Sequence, residues 1–337
     1  MEAWPIIAEF AFLALAIGGA GYFLSLYGDV IAEKTGLGGT WVGFALLATV
    51  TSLPELVTGI SSVTYAGGPN IALGDALGSC VFNLLLIVLL DFLHREAPIY
   101  TRISQGHILS AGFGVVLLGF VAFNIVLYRN GFRLSLGHVG LYTPIILLLY
   151  VVAVRTVFRY ESRLRQEVAE EVAERHPHIG LRSAIRFYCL AATVVVLAGI
   201  RLPLTAEHLA QAMGWHSSFV GTVFVALATS LPELAVTLSA LRIGALDMAT
   251  SDLLGSNLFD LAIIAIDDLA YLKGPILADV STVHLVSAQS AIMMTGIAIV
   301  GLLYRPETRL FRTVGWISVL MFSVYVVNLL VLYLHLE

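Results

Sequence analysis

Charge is scarce in this sequence. Asp, Glu, Lys and Arg make up 12% of the residues and hydrophobic types 58%, whereas a soluble domain carries roughly 25% charged residues. The eighteen Lys and Arg are scattered and the net charge is −5, which excludes the basic surface that nucleic acid requires. Cysteine is nearly absent. Cys80 and Cys189 both lie in apolar segments, so neither a disulfide framework nor a thiolate metal site can be argued from them. The N-terminal Met-Glu-Ala-Trp-Pro lacks the basic n-region of a signal peptide, and the first apolar segment is therefore expected to stay.

What the chain does have is long apolar runs. About 20 such residues cross a hydrocarbon core, and ten runs are predicted, near 6–27, 40–64, 70–93, 107–128, 139–158, 184–201, 217–241, 246–267, 283–304 and 314–335. The one polar stretch, Arg159 to Arg182, contains Glu167, Glu170, Glu171, Glu174 and Arg175. The Glu171–Arg175 spacing suits a solvated helix pair. This gives an all-α polytopic membrane protein with three parts: a five-helix repeat over 1–158, a charged cytoplasmic linker over 159–182, and a second five-helix repeat over 183–337. Basic residues favour the cytoplasmic side. With both termini outside, the outer loops hold only Arg129, Arg133, Arg201 and Lys273, and the other fourteen Lys and Arg fall on the inner loops and flanks. Five helices is an odd number, so the second repeat enters the membrane inverted, an arrangement found in secondary transporters.

Two of these runs carry the same hexapeptide. Thr51-Ser52-Leu53-Pro54-Glu55-Leu56 recurs as Thr229-Ser230-Leu231-Pro232-Glu233-Leu234. Upstream at the same spacing Ala32, Gly36, Val42-Gly43 and Ala48 match Ala210, Gly214, Val220-Gly221 and Ala226. Proline has no N–H, so Val50 and Ala228 lose their helical partners. Freed carbonyls, two hydroxyls and a carboxylate form a cluster of hard oxygen ligands, which suits a hard cation. An ionisable residue at membrane depth marks a functional site by default, and a buried acid repeated in both halves needs a shared cause. Glu55 and Glu233 are thus expected to meet across the pseudo-two-fold axis, with Ser52 and Ser230 beside them.

A second motif follows. Asp75, Ser79 and Asn83 fall on one helical stripe, as do Asp252, Ser256 and Asp260. The halves therefore supply up to five acids with no Lys or Arg in the same core segments. Asp267 and Asp268 lie near a predicted helix end and are expected to be solvated. The nine histidines, among them His94, His107, His216 and His284, fall mostly in loops or near helix ends and are not expected to bind metal.

The two Thr-Ser-Leu-Pro-Glu segments, followed by Gly-Ser-x-x-Phe-Asn and Gly-Ser-x-x-Phe-Asp, resemble the α-repeats of the cation/Ca²⁺ exchanger superfamily, specifically its Na⁺/Ca²⁺ exchanger branch. The resemblance implies a Na⁺/Ca²⁺ antiporter of the plasma (cell inner) membrane, not an enzyme. Its ions would be bound by Glu55, Glu233, Ser52, Ser230, Thr51, Thr229, Ala48 and Ala226, the alanines and threonines through backbone carbonyls. Ser79, Asn83, Ser256 and Asp260 would complete the set. No cofactor, nucleic acid or protein partner is implied; lipid and inorganic cations are the only partners. Two departures stand out. Val50 and Ala228 replace the usual glycine before Thr-Ser, and Asp75 and Asp252 replace the usual asparagine, which makes them candidates for a proton-carrying or auxiliary role. A cation/H⁺ exchanger of the same fold is the first alternative; a cation channel and an intramembrane aspartyl protease are the others. The first helix of each repeat, with Gly18-Gly19-Ala20-Gly21 in the first, is the expected sliding element.

Overall fold

A computed structural model of the chain describes residues 3–34, 48–66, 68–132, 134–166, 178–242, 244–310 and 313–334. The repeat matches at Gly36 and Val42-Gly43, and the centre of the expected linker with Glu167, Glu170, Glu171, Glu174 and Arg175, lie outside these residues. Eleven helices position the site: α1 (Ala3–Lys34), α2 (Leu53–Ser61), α3 (Pro69–Leu93), α4 (His107–Arg129), α5 (Tyr142–Gln166), α6 (Leu181–Met213), α7 (Ser217–Thr229), α8 (Leu231–Arg242), α9 (Leu246–Ala270), α10 (His284–Tyr304) and α11 (Trp316–Leu334). Seven are long and apolar enough to cross a membrane, and the bent pair α7–α8 makes an eighth. α9, which carries five aspartates, is not among them.

The prolines act where the sequence places them. Each hexapeptide serine terminates one helical turn and precedes a new helix with proline in its first turn. Ser52 sits at φ −85°, ψ 14° and Ser230 at φ −85°, ψ 12°, so the break is reproduced almost identically in both halves. In the second half it bends the helix by 46°. Each half also contains a π-helical turn, Ser62–Ala66 after α2 and Gly221–Val225 within α7. Such turns cluster at functional sites.

α3 runs through the centre and is buried along most of its length, whereas α1 is largely exposed on its outer side. Phe12, Leu15, Leu148, Leu197 and Leu303 are among the apolar side chains left on the outer surface, as a lipid-facing wall requires. α3 approaches the π turn so closely that a Cβ on Gly78 would fall 2.3 Å from the Thr222 carbonyl oxygen. α1 and α6 pack along one another, and each reaches the other half's hexapeptide helix. A Cβ on Gly21 would lie 2.2 Å from Pro232 Cγ, and one on Gly199 2.9 Å from Val57 Cγ1. At 32 and 33 residues, α1 and α6 extend about 48–50 Å against a core of about 30 Å, so they tilt or project beyond it. α6 therefore runs well past the predicted end at Arg201, which is paired inside the helix with Glu9 of α1 at 2.6 Å.

The expectation that Asp268 is solvated is wrong. It is fully buried and accepts four hydrogen bonds: from Tyr142 Oη (2.6 Å), Ile276 N (2.7 Å), Gly140 N (2.8 Å) and Thr143 Oγ1 (2.5 Å). A two-stranded hairpin, Ser135–Leu136 with Val139–Gly140, carries the chain over it. Asp91 is its counterpart. It accepts from Ile99 N (2.9 Å), Gly315 N (2.8 Å) and Ser318 Oγ (2.7 Å), beneath the hairpin Arg309–Leu310 with Val314–Gly315. Each aspartate thus ties the end of one half's helix to the other half's hairpin. Asp267 is buried as well; proximity to a helix end in sequence did not mean contact with water.

Candidate cation-binding centre

Glu55 follows the break at Ser52 and Glu233 the break at Ser230, each in the first turn of the new helix. Both are 1% exposed. Their partners are exchanged between the halves. Glu55 Oε1 accepts from Ser230 Oγ (3.1 Å) and Ser79 Oγ (3.5 Å). Glu233 Oε1 accepts from Ser52 Oγ (3.4 Å) and Ser256 Oγ (3.5 Å). Each carboxylate is therefore held by its own half's second motif and by the opposite half's first motif. The second oxygen of each, Oε2, has no hydrogen-bond partner.

The remaining predicted residues surround this pair. Ser230 Oγ donates to Ser79 Oγ at 3.0 Å, and Thr51 and Ser256 share a hydrogen bond of 3.3 Å. Thr229 Oγ1 donates to Asp75 Oδ1 at 2.8 Å, leaving Asp75 Oδ2 bare. No hydrogen bond of ordinary geometry reaches Asp260 Oδ1 or either oxygen of Asp252, although the Thr51 hydroxyl lies beside Asp252. Asp260 Oδ2 meets only the weak Cys80 thiol donor, at 3.9 Å. The Ala48 carbonyl is already an acceptor for Ser52 N (3.1 Å) and Thr51 Oγ1 (3.2 Å). That of Ala226 accepts from Ser230 N (3.0 Å) and Thr229 Oγ1 (3.2 Å). Asn83 does not reach the glutamates through a hydrogen bond. Its Nδ2 donates to Asn257 Oδ1 at 3.0 Å, and Asn257 Nδ2 is held by the Cys80 carbonyl at 3.2 Å.

Glu55, Glu233, Asp75, Asp252 and Asp260 are each at most 2% exposed. Among the described residues no Lys or Arg pairs with any of them, and no three acids, His or Cys converge closely enough to hold a metal by themselves. Any ion bound here must take hydroxyl and carbonyl oxygens as well. Five ionised carboxylates without compensation would be prohibitive in this setting. The bare oxygens are consistent with cations supplying that compensation.

Sequence reasoning stopped short of other repeated polar devices. Continued past Asn83 and Asp260, the same spacing aligns Asp91, Pro98-Ile99, Ser104 and His107 with Asp268, Pro275-Ile276, Ser281 and His284. His107 and His284, expected near loops, are both buried at helix starts. His107 Nε2 pairs with Asp247 Oδ1 (2.9 Å), which also accepts from Ser104 N (2.6 Å). His284 Nε2 pairs with Asn70 Oδ1 (3.2 Å), which accepts from Ser281 N (2.6 Å).

The family model described as sodium/calcium exchanger protein matches residues 5–159 and again 183–334. The chain belongs to that family. It is a multi-pass membrane protein of a cation-exchanger family, and the family model matches it in two separate segments. The inner membrane protein YrbG of Escherichia coli (strain K12) is 27% identical over 277 residues, covering 79% of this chain and 81% of YrbG. A crystal structure of the H⁺/Ca²⁺ exchanger CAX superposes with a TM-score of 0.69 at 16% identity, covering 97% of this chain and 84% of that one. The sodium-calcium exchanger NCX_Mj superposes with a TM-score of 0.60 at 22% identity, covering 96% and 97%. At such identities the two structures establish the fold, which sodium- and proton-coupled exchangers share.

Proposed function

We propose that the chain is a secondary active antiporter that moves Ca²⁺ one way and Na⁺ the other by alternating access at the Glu55–Glu233 centre. The observation that carries this reading is the reciprocal bridging of the two glutamates, which leaves one bare oxygen on each. Ca²⁺ takes roughly 6–8 oxygens at flexible geometry. The two glutamates supply a charge of −2. Ser52, Ser230, Thr51 and Thr229, the carbonyls of Ala48 and Ala226, and the side chains of Ser79, Asn83, Ser256 and Asp260 supply the rest. Several Na⁺ can share the same oxygens, so the two ions exclude each other. Exchange follows if the empty, uncompensated site cannot cross between states while either loaded form can.

On this reading ten spans form two inverted five-helix repeats. The hexapeptide helices of residues 48–66 and α7–α8, together with α3 and α9, make the centre. α1 and α6, packed on each other and against the hexapeptide helices, slide over it. Both termini lie outside, the linker inside, and the host membrane is the cell's inner (plasma) membrane. Neither a cofactor nor a protein partner is required.

A proton-coupled variant has one observation in its favour: two further acids, Asp75 and Asp252, are buried beside the centre with bare oxygens. Ca²⁺ uptake into liposomes holding the purified protein, under an imposed Na⁺ gradient or an imposed pH gradient, separates the two. Uptake driven by Na⁺ and retained in Asp75→Asn/Asp252→Asn supports Na⁺ coupling. Uptake driven by the pH gradient alone, and lost in that double variant, refutes it.

A further inference from the structure

The repeat shows where the halves differ. α9 carries acids at three positions where α3 does not: Asp247 for Asn70, Asp260 for Asn83 and Asp267 for Leu90. Asp247 and Asn70 each engage a histidine, and Asp260 belongs to the centre. Asp267 belongs to neither. It is 1% exposed and neither oxygen has a hydrogen-bond partner. Across from it α2 presents Gly59, where a Cβ would fall 2.6 Å from both Oδ1 and Oδ2. The carboxyl occupies the space a side chain would take. The repeat-related residues are Thr237 and Leu90, so only one half combines a glycine with an acid.

A buried carboxylate without a donor is poorly tolerated, and protonating it leaves a hydroxyl without an acceptor. Either way the group needs something that the surrounding protein atoms do not supply. Its position indicates what. Gly59 lies one turn beyond Glu55 on the same face of α2, and Asp267 two turns beyond Asp260 on the same face of α9. The α2–α9 seam thus presents acids at two levels, with Asp267 about 10 Å further along than Asp260.

We infer that the bare carboxyl of Asp267, seated against Gly59, is a second cation position, a staging point between the central site and the membrane face at which α2 and α9 end, with no counterpart in the other half. The inference rests on the antiport reading for the identity of the ion, a hard cation of the kind the centre exchanges. Its test is Ca²⁺ uptake in right-side-out and inverted membrane vesicles containing the full chain, comparing wild type with Asp267→Asn and Asp267→Leu. The half-saturating Ca²⁺ concentration should rise about fivefold from one face only, with maximal rate and pH profile unchanged. Gly59→Ala keeps the acid but fills its space, and should reproduce the one-sided rise if Asp267 variants do not fold. An equal rise from both faces, or none, would overturn the inference, as would a flattened pH profile at unchanged half-saturation, which marks a proton site. Should the wild-type chain carry no Ca²⁺ flux, the antiport reading fails on its own. Equilibrium Ca²⁺ binding to the solubilised protein then decides: weaker binding by Asp267→Asn retains the position, and equal binding removes it.

Discussion

Replacing Asp268 by asparagine perturbs the junction between the halves without touching the proposed ion ligands. Oδ1 receives Tyr142 Oη and Ile276 N; Oδ2 receives Gly140 N and Thr143 Oγ1. However the amide is turned, its NH₂ faces one of the two backbone N–H groups. A hydroxyl can rotate to accept from that NH₂, but a backbone N–H cannot. One buried donor is stranded, which costs about 1–3 kcal/mol. Asp268→Ala strands both N–H groups, for about 2–6 kcal/mol by the same reasoning. Asp91→Asn strands either Ile99 N or Gly315 N, so its loss should match that of Asp268→Asn. Unfolding in mixed detergent micelles would give the stabilities, and Na⁺-dependent Ca²⁺ uptake by the folded fraction should keep its wild-type half-saturation. If both asparagine variants stayed within about 0.5 kcal/mol of wild type, the range of neutral surface substitutions, the anchors would not bear the load assigned to them.

Gly21→Ala introduces a methyl 2.2 Å from Pro232 Cγ; it should slow exchange by hindering movement of α1 while leaving equilibrium Ca²⁺ binding near wild type, and unchanged turnover would argue against sliding there. Ser79→Ala and Ser256→Ala each remove one donor from a glutamate's Oε1 and should weaken Na⁺ dependence more than Ca²⁺ affinity; equal effects on both ions would contradict that division. A cysteine placed between Arg159 and Arg182 should resist an impermeant thiol reagent added outside intact cells, whereas one placed after Leu336 should react, and the reverse pattern would invert the proposed topology.

The centre was legible because its signals are local and written twice: a proline, a glutamate and hydroxyls inside apolar runs need no partner to be noticed. The exchange of partners between halves, Ser230 to Glu55 and Ser52 to Glu233, was only implied by the symmetry. Asp268 was misread because burial at a helix end is decided by what covers that end, here the hairpin of residues 135–140. Repeat arithmetic carried to Asp91 would have exposed the pair. The π turns at Ser62 and Gly221 have no residue signature; the one at Gly221 lies where Gly74 and Gly78 of α3 meet its backbone. The length of α6 was hidden by Arg201, a charge that reads as a helix end until Glu9 is found beside it.

The central claim is that two glutamates from opposed halves share one divalent ion. Gln keeps the shape and one oxygen of each but removes half the charge that balances Ca²⁺. Na⁺-driven ⁴⁵Ca²⁺ uptake into liposomes holding wild type, Glu55→Gln or Glu233→Gln tests this directly. The account predicts robust uptake by wild type and none by either variant, although both remain folded. Near wild-type uptake by either one would contradict it.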